Sequence, residues 1–346
     1  MHSDSKKQTR SFLFRAVKYA LLATGTLVLL LILFGVWIYF SMFSGPGPME
    51  INAFHPFRSE QAKSQYLAVE DKMVQRWPVH SEELLAQTSF GKTFMRISGP
   101  TDGPPLVLLP GGGCNSLIWF ANVQALSQHY RTYALDNIYD YGRSVYARGI
   151  MNGNDYSSWL NELLDTLRLG TNVRIVGYSY GGWVTNQYAL HHPERLSRVI
   201  LIAPAYTILP VKDKWIWDMV ATLIPIRYFK QRAMYSVWKD LLNRDDTGKD
   251  IVDERVRYVE TAYSCFKFKS PVNPTVLSDS ELQNMAVPIL YLIGANETMY
   301  DADSAIQRLH RVAPRIETDL IAGTGHDLMF THTEVVNRRI LDFLRE

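Results

Sequence analysis

Two patterns of apolar residues divide the chain. Near the N-terminus, residues 19 to 40 form a run of 22 residues without a charge, YALLATGTLVLLLILFGVWIYF. From about residue 83, short strand-like apolar runs alternate with amphipathic helical stretches, which is typical of a mostly parallel sheet with helices on both faces. We predict eight strands, with the sequences LLAQTS, KTFMRI, PLVLLP, RTYALD, VRIVGY, RVILIA, PILYLI and ETDLIA.

The alternation stops between the sixth and seventh predicted strands. Residues 206 to 284 contain no convincing strand, and apolar and aromatic residues recur there at helical spacing,. This pattern predicts a helical insertion, called the cap below. The predicted organisation is a basic tail at 1–18, an anchor at 19–40, a linker and lead-in helix at 41–82, a core at 83–205 and 285–346, and the cap at 206–284.

The N-terminal apolar run is long enough to cross a bilayer as a helix. Five basic residues precede it, namely Lys6, Lys7, Arg10, Arg15 and Lys18. Residues 41–60 contain only one, Arg58. This asymmetry predicts a single-pass anchor with a cytoplasmic N-terminus and an extracytoplasmic body. A cleaved signal peptide is the alternative, but the run is long for one and no A-x-A-like site follows it.

Charge and cysteine content exclude several functions. The chain has 36 basic and 34 acidic residues, so no charge excess indicates a nucleic-acid partner or an acidic substrate. Its two cysteines, Cys114 and Cys265, are too few for a disulfide scaffold or a thiolate zinc site. We expect two buried free thiols. A disulfide between them, which an extracytoplasmic location would allow, stays open.

A strand-to-helix corner holds the first candidate catalytic residue. The sequence RIVGYSYGGWV, residues 174–184, passes from residues that favour a strand to a stretch with helical spacing,. Ser179 lies at the turn, and Gly177 and Gly181 leave room on either side,. The start of the helix directs free N–H groups to this point, which favours a developing negative charge. An ordinary turn serine is the alternative interpretation.

A nucleophilic serine needs a base to accept its proton and a carboxylate to hold that base. His326 lies in the loop GTGHDLMF after the last predicted strand, and Glu297 follows the strand PILYLIG. We therefore predict Ser179 as the nucleophile, His326 as the base and Glu297 as the acid. Asp301 is the alternative acid, although a role as the capping residue at the N-terminus of the next helix explains it better. Asp327 is predicted to be a hydrogen-bonding residue of the loop.

Together these features resemble the α/β-hydrolase family over roughly residues 60–346. LVLLPGGGCNSLIW is similar to the oxyanion loop of that family, LDNIYDYGRS to the segment after its fourth strand, and ALHHPERLSRVILIAPA to the stretch before and through its sixth strand. The resemblance implies an α/β-hydrolase fold and an oxyanion hole formed by the N–H groups of Tyr180 and Gly112, with Gly113 as the alternative second donor. Two residues depart from the family pattern: Pro110 stands where histidine is usual, and the acid is Glu297 where aspartate is commoner.

The predicted activity is hydrolysis of a carboxylic ester through a covalent acyl-enzyme, without a cofactor or a metal. The apolar, aromatic-rich cap favours a small-molecule substrate with an apolar or lipid-derived acyl group. Acyl transfer, peptide or amide hydrolysis and non-catalytic surface binding stay open, because one fold serves many functions. The sequon Asn296-Glu297-Thr298 overlaps the predicted acid. A glycan there would obstruct the site, so with the anchor it predicts a bacterial cell-surface location.

Overall fold

The computed structural model describes residues 14–26, 29–30, 33–35, 51–224, 226–267 and 272–345. It divides into two compact units, of which the smaller contains the described N-terminal residues. Those residues are helical. Among all the described ranges, no helix combines the length and the apolar character needed to cross a membrane. The predicted span at 19–40 includes positions outside the described residues, so it stays a prediction.

The larger unit is built on one sheet, in which nine strands can be counted over the described residues. They are β1 (Glu82–Thr88), β2 (Gly91–Ser98), β3 (Pro105–Leu109), β4 (Arg131–Leu135), β5 (Val145–Tyr146), β6 (Val173–Tyr178), β7 (Leu196–Ile202), β8 (Ile289–Gly294) and β9 (Glu317–Ile321). The order is β1-β2-β4-β3-β6-β7-β8-β9, and β5 pairs with β2. The five neighbouring pairs β4-β3, β3-β6, β6-β7, β7-β8 and β8-β9 are parallel. The three pairs that β2 makes, with β1, β4 and β5, are antiparallel.

All eight predicted strands are present, so the prediction of a mostly parallel sheet is confirmed, but the predicted number is too low by one. The additional strand, β5, consists of Val145 and Tyr146. Two residues are too few to produce an alternating pattern of apolar and polar positions. The predicted turn at Phe90-Gly91 is also observed: Gly91 has φ of 128°, and a Cβ there would lie 2.2 Å from the carbonyl oxygen of Val145.

Helices pack against both faces of the sheet and also form the segment between β7 and β8. They are α1 (Glu60–Val74), α2 (Val123–Leu126), α3 (Gly153–Thr166), α4 (Tyr180–His191), α5 (Asp213–Ala221), α6 (Arg227–Val237), α7 (Lys239–Leu242), α8 (Asp246–Cys265), α9 (Asp279–Asn284), α10 (Ala302–Val312), α11 (Leu328–Thr331) and α12 (Thr333–Arg345). Short 3-10 helices occur at Ser116–Ala121 and Pro193–Arg195. Two large apolar clusters, one on each side of the sheet's central strands, form the core.

The segment between β7 and β8 is helical, as predicted for the cap. Helices α5 to α9 lie in this segment, and its described residues contain no strand apart from a single bridge between Phe57 and Phe266. Helix α8 also contacts the lead-in helix α1, where the hydroxyl groups of Tyr66 and Tyr258 lie 2.8 Å apart. Cys265 ends α8, and it and Cys114 are both buried and unbridged. The prediction of free thiols is therefore confirmed.

A buried ion-pair network joins α1 to the sheet. Glu70 of α1 is fully buried and accepts hydrogen bonds from Nε of Arg143 at 3.1 Å and from Nη2 of Arg96 at 3.5 Å. Arg96 also pairs with Glu83 at 2.5 Å. Burial raises the pKa of Glu70 to about 7, and the nearby carboxylate of Asp136 adds to this rise while the two arginines oppose it,. The lead-in helix thus contacts the sheet through a buried polar network as well as through apolar side chains.

Candidate active site

Ser179 occupies the predicted corner between β6 and α4. Its backbone has φ of 52° and ψ of −116°. Its N–H donates to the carbonyl of Ile202 at 2.9 Å, and its own carbonyl accepts from Gly182 at 2.9 Å and Ala205 at 3.1 Å. The corner is also closely packed, because a Cβ on Gly181 would lie 2.4 Å from the carbonyl oxygen of Leu109. Close packing and backbone hydrogen bonds therefore fix the serine at the end of the strand.

The structure brings Ser179, His326 and Glu297 together, and we call these three residues the floor. Nε2 of His326 lies 3.0 Å from Oγ of Ser179, and Nδ1 lies 2.9 Å from Oε2 of Glu297. The other oxygen of Glu297 accepts the N–H groups of Thr298 and Met299 at 2.8 and 2.9 Å. The carboxylate is thereby held in one orientation. A proton on Nδ1 would face the carboxylate and leave Nε2 as an acceptor for the serine hydroxyl.

The alternative carboxylates have other partners. Asp301 is exposed and precedes α10, where its Oδ1 accepts the N–H of Ser304 at 2.8 Å. Hydrogen bonds from the side chain and from the N–H of Ser304 lower the pKa of Asp301. Asp327 is buried, and its Oδ2 accepts the N–H of Leu241 from the cap at 2.6 Å. Burial raises the pKa of Asp327. Each carboxylate therefore serves a hydrogen bond to the backbone.

The predicted oxyanion residues are also adjacent. Tyr180 is the first residue of α4, so its N–H precedes the first intrahelical hydrogen bond,. Gly112 lies beside it, because a Cβ on Gly112 would be 3.5 Å from Cβ of Tyr180. The alternative donor is engaged elsewhere: the N–H of Gly113 donates to Oδ2 of Asp140 at 2.8 Å. The geometry thus favours Gly112 over Gly113 as the partner of Tyr180.

Four cap residues make hydrogen bonds to residues near the floor, and we call them the roof: Leu241, Arg255, Val272 and Thr275. The hydroxyl of Tyr180 donates to the carbonyl of Val272 at 2.9 Å. Arg255 donates through Nη2 to the carbonyl of Gly113 and, at 2.7 Å, to Sγ of Cys114. The roof therefore contacts the residues next to the nucleophile and the oxyanion loop.

Sequence reasoning missed Arg255 and Asp140. Arg255 lies within an apolar stripe of α8, between the buried residues Val252, Val256 and Val259. A charged residue at such a position needs a polar partner, and this was a signal that could have identified it. For Asp140 the signal was weaker, because a carboxylate in a loop is ordinary.

The chain is similar to several known proteins. The model of the α/β hydrolase fold family matches residues 104–333. Carboxylesterase YbfK of Bacillus subtilis (strain 168) is 30% identical to this chain, and the match covers 83% of this chain and 96% of the relative. An uncharacterized carboxylesterase, nap, of the same strain is also 30% identical, and the match covers 81% of this chain and 92% of the relative. The crystal structure of naproxen esterase (carboxylesterase NP) from Bacillus subtilis superposes with a TM-score of 0.74 and 29% identity, covering 83% of this chain and 99% of that one. The chain therefore belongs to the α/β hydrolase fold family, as the sequence resemblance implied, and it is a hydrolase.

Proposed function

We propose that this protein hydrolyses carboxylic esters by a serine mechanism with a covalent acyl-enzyme. The observation that carries the proposal is the pair of hydrogen-bond distances in the floor, 3.0 Å from Ser179 to His326 and 2.9 Å from His326 to Glu297. Together they connect a serine hydroxyl, a base and an orienting carboxylate by consecutive hydrogen bonds. The carboxylesterases among its relatives support an ester as the substrate.

In the first step, Oγ of Ser179 attacks the ester carbonyl while Nε2 of His326 accepts the hydroxyl proton. The imidazolium that forms is stabilised by Glu297, whose second oxygen is already held by two backbone N–H groups. The carbonyl oxygen becomes an oxyanion and accepts hydrogen bonds from the N–H groups of Tyr180 and Gly112. Collapse of this intermediate breaks the C–O bond, and His326 returns the proton to the leaving alcohol.

In the second step, water attacks the acyl-enzyme and gives its proton to His326. The carbonyl oxygen again occupies the oxyanion hole. When the bond to Oγ of Ser179 breaks, His326 protonates the serine and the carboxylic acid leaves. Apart from the attacking water, the reaction uses side chains and backbone groups of the chain, and His326 returns in each step the proton that it accepts.

The substrate class follows from the roof and the helices around it. The cap contributes apolar and aromatic side chains, including the buried Trp238 and the half-buried Trp215. An apolar, aromatic-rich cap favours an apolar acyl group of medium length. We expect turnover to rise with acyl length until the chain no longer fits under the cap.

The test compares the purified full-length protein with its Ser179→Ala variant on p-nitrophenyl esters of increasing acyl length. Loss of a member of the triad should lower kcat by about 10⁴-fold or more. Ser304→Ala, the same change at an exposed serine, should retain wild-type activity. A folded wild-type protein that is inactive on every ester would contradict the proposal, and added alcohol or amine acceptors and peptide substrates would then test the alternative reactions.

We further propose that the N-terminal segment anchors the enzyme in a membrane and leaves its body outside the cytoplasm, at a bacterial cell surface. The support is the uncharged run at residues 19–40 and the basic residues that precede it,. Lipids of the same membrane would then supply esters with apolar acyl groups.

Membrane fractionation tests this location. The full-length protein should stay with membranes after alkaline carbonate extraction, and protease added to intact spheroplasts should degrade the body. Replacing Leu29 and Leu30 together by arginine should release the protein, since each charge at the centre of a span costs about 2.5–3.5 kcal/mol. Recovery of the wild-type protein in the supernatant would contradict the anchor, and protection from protease would contradict the orientation.

A further inference from the structure

The loop that carries Gly112 is a tight turn held from two sides. The N–H of Cys114 donates to the carbonyl of Gly111 at 3.1 Å, and Gly113 has φ of 65°. This combination is typical of the third residue of a type II turn, where glycine is favoured. Asp140 accepts the N–H of Gly113 at 2.8 Å, and Arg255 donates to the carbonyl of the same residue. Both polar groups of Gly113 are therefore engaged by charged side chains.

The two charged residues come from different parts of the fold. Asp140 lies in the core loop after β4, whereas Arg255 lies on α8 of the cap and is only 5% exposed. The guanidinium also contacts Sγ of Cys114 at 2.7 Å and lies 4.6 Å from the ring centre of Tyr258. A buried arginine that contacts a backbone carbonyl and a sulfur in this loop has its donors directed at the turn, not at solvent.

We propose that Arg255 is a positioning residue of the oxyanion hole, through which the cap holds the turn at residues 111–114 in its active conformation. The inference rests on the proposed serine mechanism. Rotation of the turn would move the N–H of Gly112 away from Tyr180, and a misplaced donor loses much of its ability to stabilise an oxyanion. The positive charge of Arg255 also offsets the negative charge of Asp140 on the other side of the turn. The cap thus contributes to the chemistry as well as to substrate fit.

The first experiment measures kcat, KM and the affinity of an alkyl trifluoromethyl ketone for wild-type, Arg255→Met and Arg257→Met proteins. The ketone forms a tetrahedral adduct with the serine and so reports on the oxyanion hole. Active sites are counted by complete labelling with a fluorophosphonate. Met retains the length of the side chain without its donors, and Arg257 is an exposed arginine of the same helix. We expect Arg255→Met to lose about 10- to 100-fold in kcat per active site.

The expected signature is a parallel loss of kcat and ketone affinity with KM unchanged within about threefold, because only interactions with the transition state are removed. Arg257→Met should match the wild type. Unchanged ketone affinity, an effect confined to KM, or fewer active sites with normal kcat per site would each overturn the inference. A wild-type protein that neither hydrolyses esters nor binds the ketone would overturn the serine mechanism as well.

Arg255→Lys decides the question if Arg255→Met does not fold. Lysine keeps the charge but replaces the planar guanidinium, whose Nη2 contacts both Gly113 and Cys114, by a compact ammonium group on a flexible stem,. We expect it to fold and to lose about 3- to 10-fold in both kcat and ketone affinity. Wild-type values for both quantities would overturn the inference.

Discussion

The floor and the roof of the active site are built by different means. Each floor residue follows the carboxyl end of a parallel strand, Ser179 after β6, Glu297 after β8 and His326 after β9. Roof residues lie on helices and loops of the cap and contact the floor's neighbours through one or two hydrogen bonds each. In the proposed mechanism, the sheet thus places the reactive atoms, while the cap holds the backbone that surrounds them. Changes in the floor should abolish the reaction, whereas changes in the roof should weaken it.

Removing the base tests this contrast most strongly. His326→Ala should lower kcat by about 10⁴- to 10⁶-fold, because it removes the base that is hydrogen-bonded to Oγ of Ser179,. Combining it with Ser179→Ala should cause no further loss, since members of a triad act as a unit. Single-turnover and steady-state kinetics would measure both. His310→Ala, at an exposed helix position, is the control; substantial activity in the His326 variant would contradict the assignment of the base.

The identity of the acid has the next largest effect. Glu297→Gln keeps the size of the side chain but removes the charge that stabilises the imidazolium, and it should lower kcat by about 10²- to 10⁴-fold. Asp301→Asn should leave kcat almost unchanged, because the side chain of Asp301 only accepts a hydrogen bond at the N-terminus of α10. It should lower the free energy of unfolding by at most about 1 kcal/mol. If the Asp301 variant were the less active of the two, the assignment of the acid would be wrong.

The hydrogen bond between Asp327 and Leu241 tests how the roof is held to the histidine loop. Asp327→Ala leaves the buried N–H of Leu241 without its acceptor and should lower the free energy of unfolding by about 1–3 kcal/mol. We expect kcat to fall less than about tenfold, because the floor itself is unchanged. Urea denaturation and ester kinetics would measure the two effects. Asp327→Asn, which retains an acceptor oxygen, should recover most of the stability; a loss of kcat as large as that of His326→Ala would contradict the contrast.

Glu70 should influence stability without affecting chemistry. Its pKa in the folded protein is raised to about 7, above the value of about 4.3 expected in the unfolded chain. The folded state therefore binds the proton more tightly, and stability should fall as pH rises from about 4 to 7. Glu70→Gln removes the group that titrates. The fall in the free energy of unfolding should therefore be smaller by about 1.4 kcal/mol for each unit by which folding raises the pKa of Glu70. Urea denaturation at pH 5 and pH 8 would measure it, with the exposed Glu60→Gln as control; identical pH profiles for Glu70→Gln and wild type would contradict the prediction.

The sequence could identify the floor because each of its residues interrupts a strong local pattern. Ser179 ends a strand between glycines, and His326 lies in a glycine-flanked loop after the last strand. The ends of parallel strands meet at one sheet edge, so proximity follows from topology alone. The same reasoning gave eight of the nine strands and the helical character of the cap.

The roof and the docking of α1 could not be predicted in the same way. Whether Gly112 or Gly113 provides an oxyanion donor depends on Asp140, which contacts Gly113 only through the tertiary structure. Glu70 belongs to a helix with a mostly polar sequence, yet it is buried against two arginines that are distant in the chain. Long-range contacts of polar groups leave no periodic signal, because no repeat spacing connects the partners.

The backbone of Ser179, with φ of 52° and ψ of −116°, has a further consequence for how this enzyme can change. A residue other than glycine pays about 1–3 kcal/mol of folding free energy for a conformation of this kind. Glycine adopts it without that penalty, so Ser179→Gly should be inactive and yet more resistant to heat than the wild type. At this position the folded state and the reaction favour different residues, and a lineage released from selection for catalysis would gain thermal stability by losing its nucleophile.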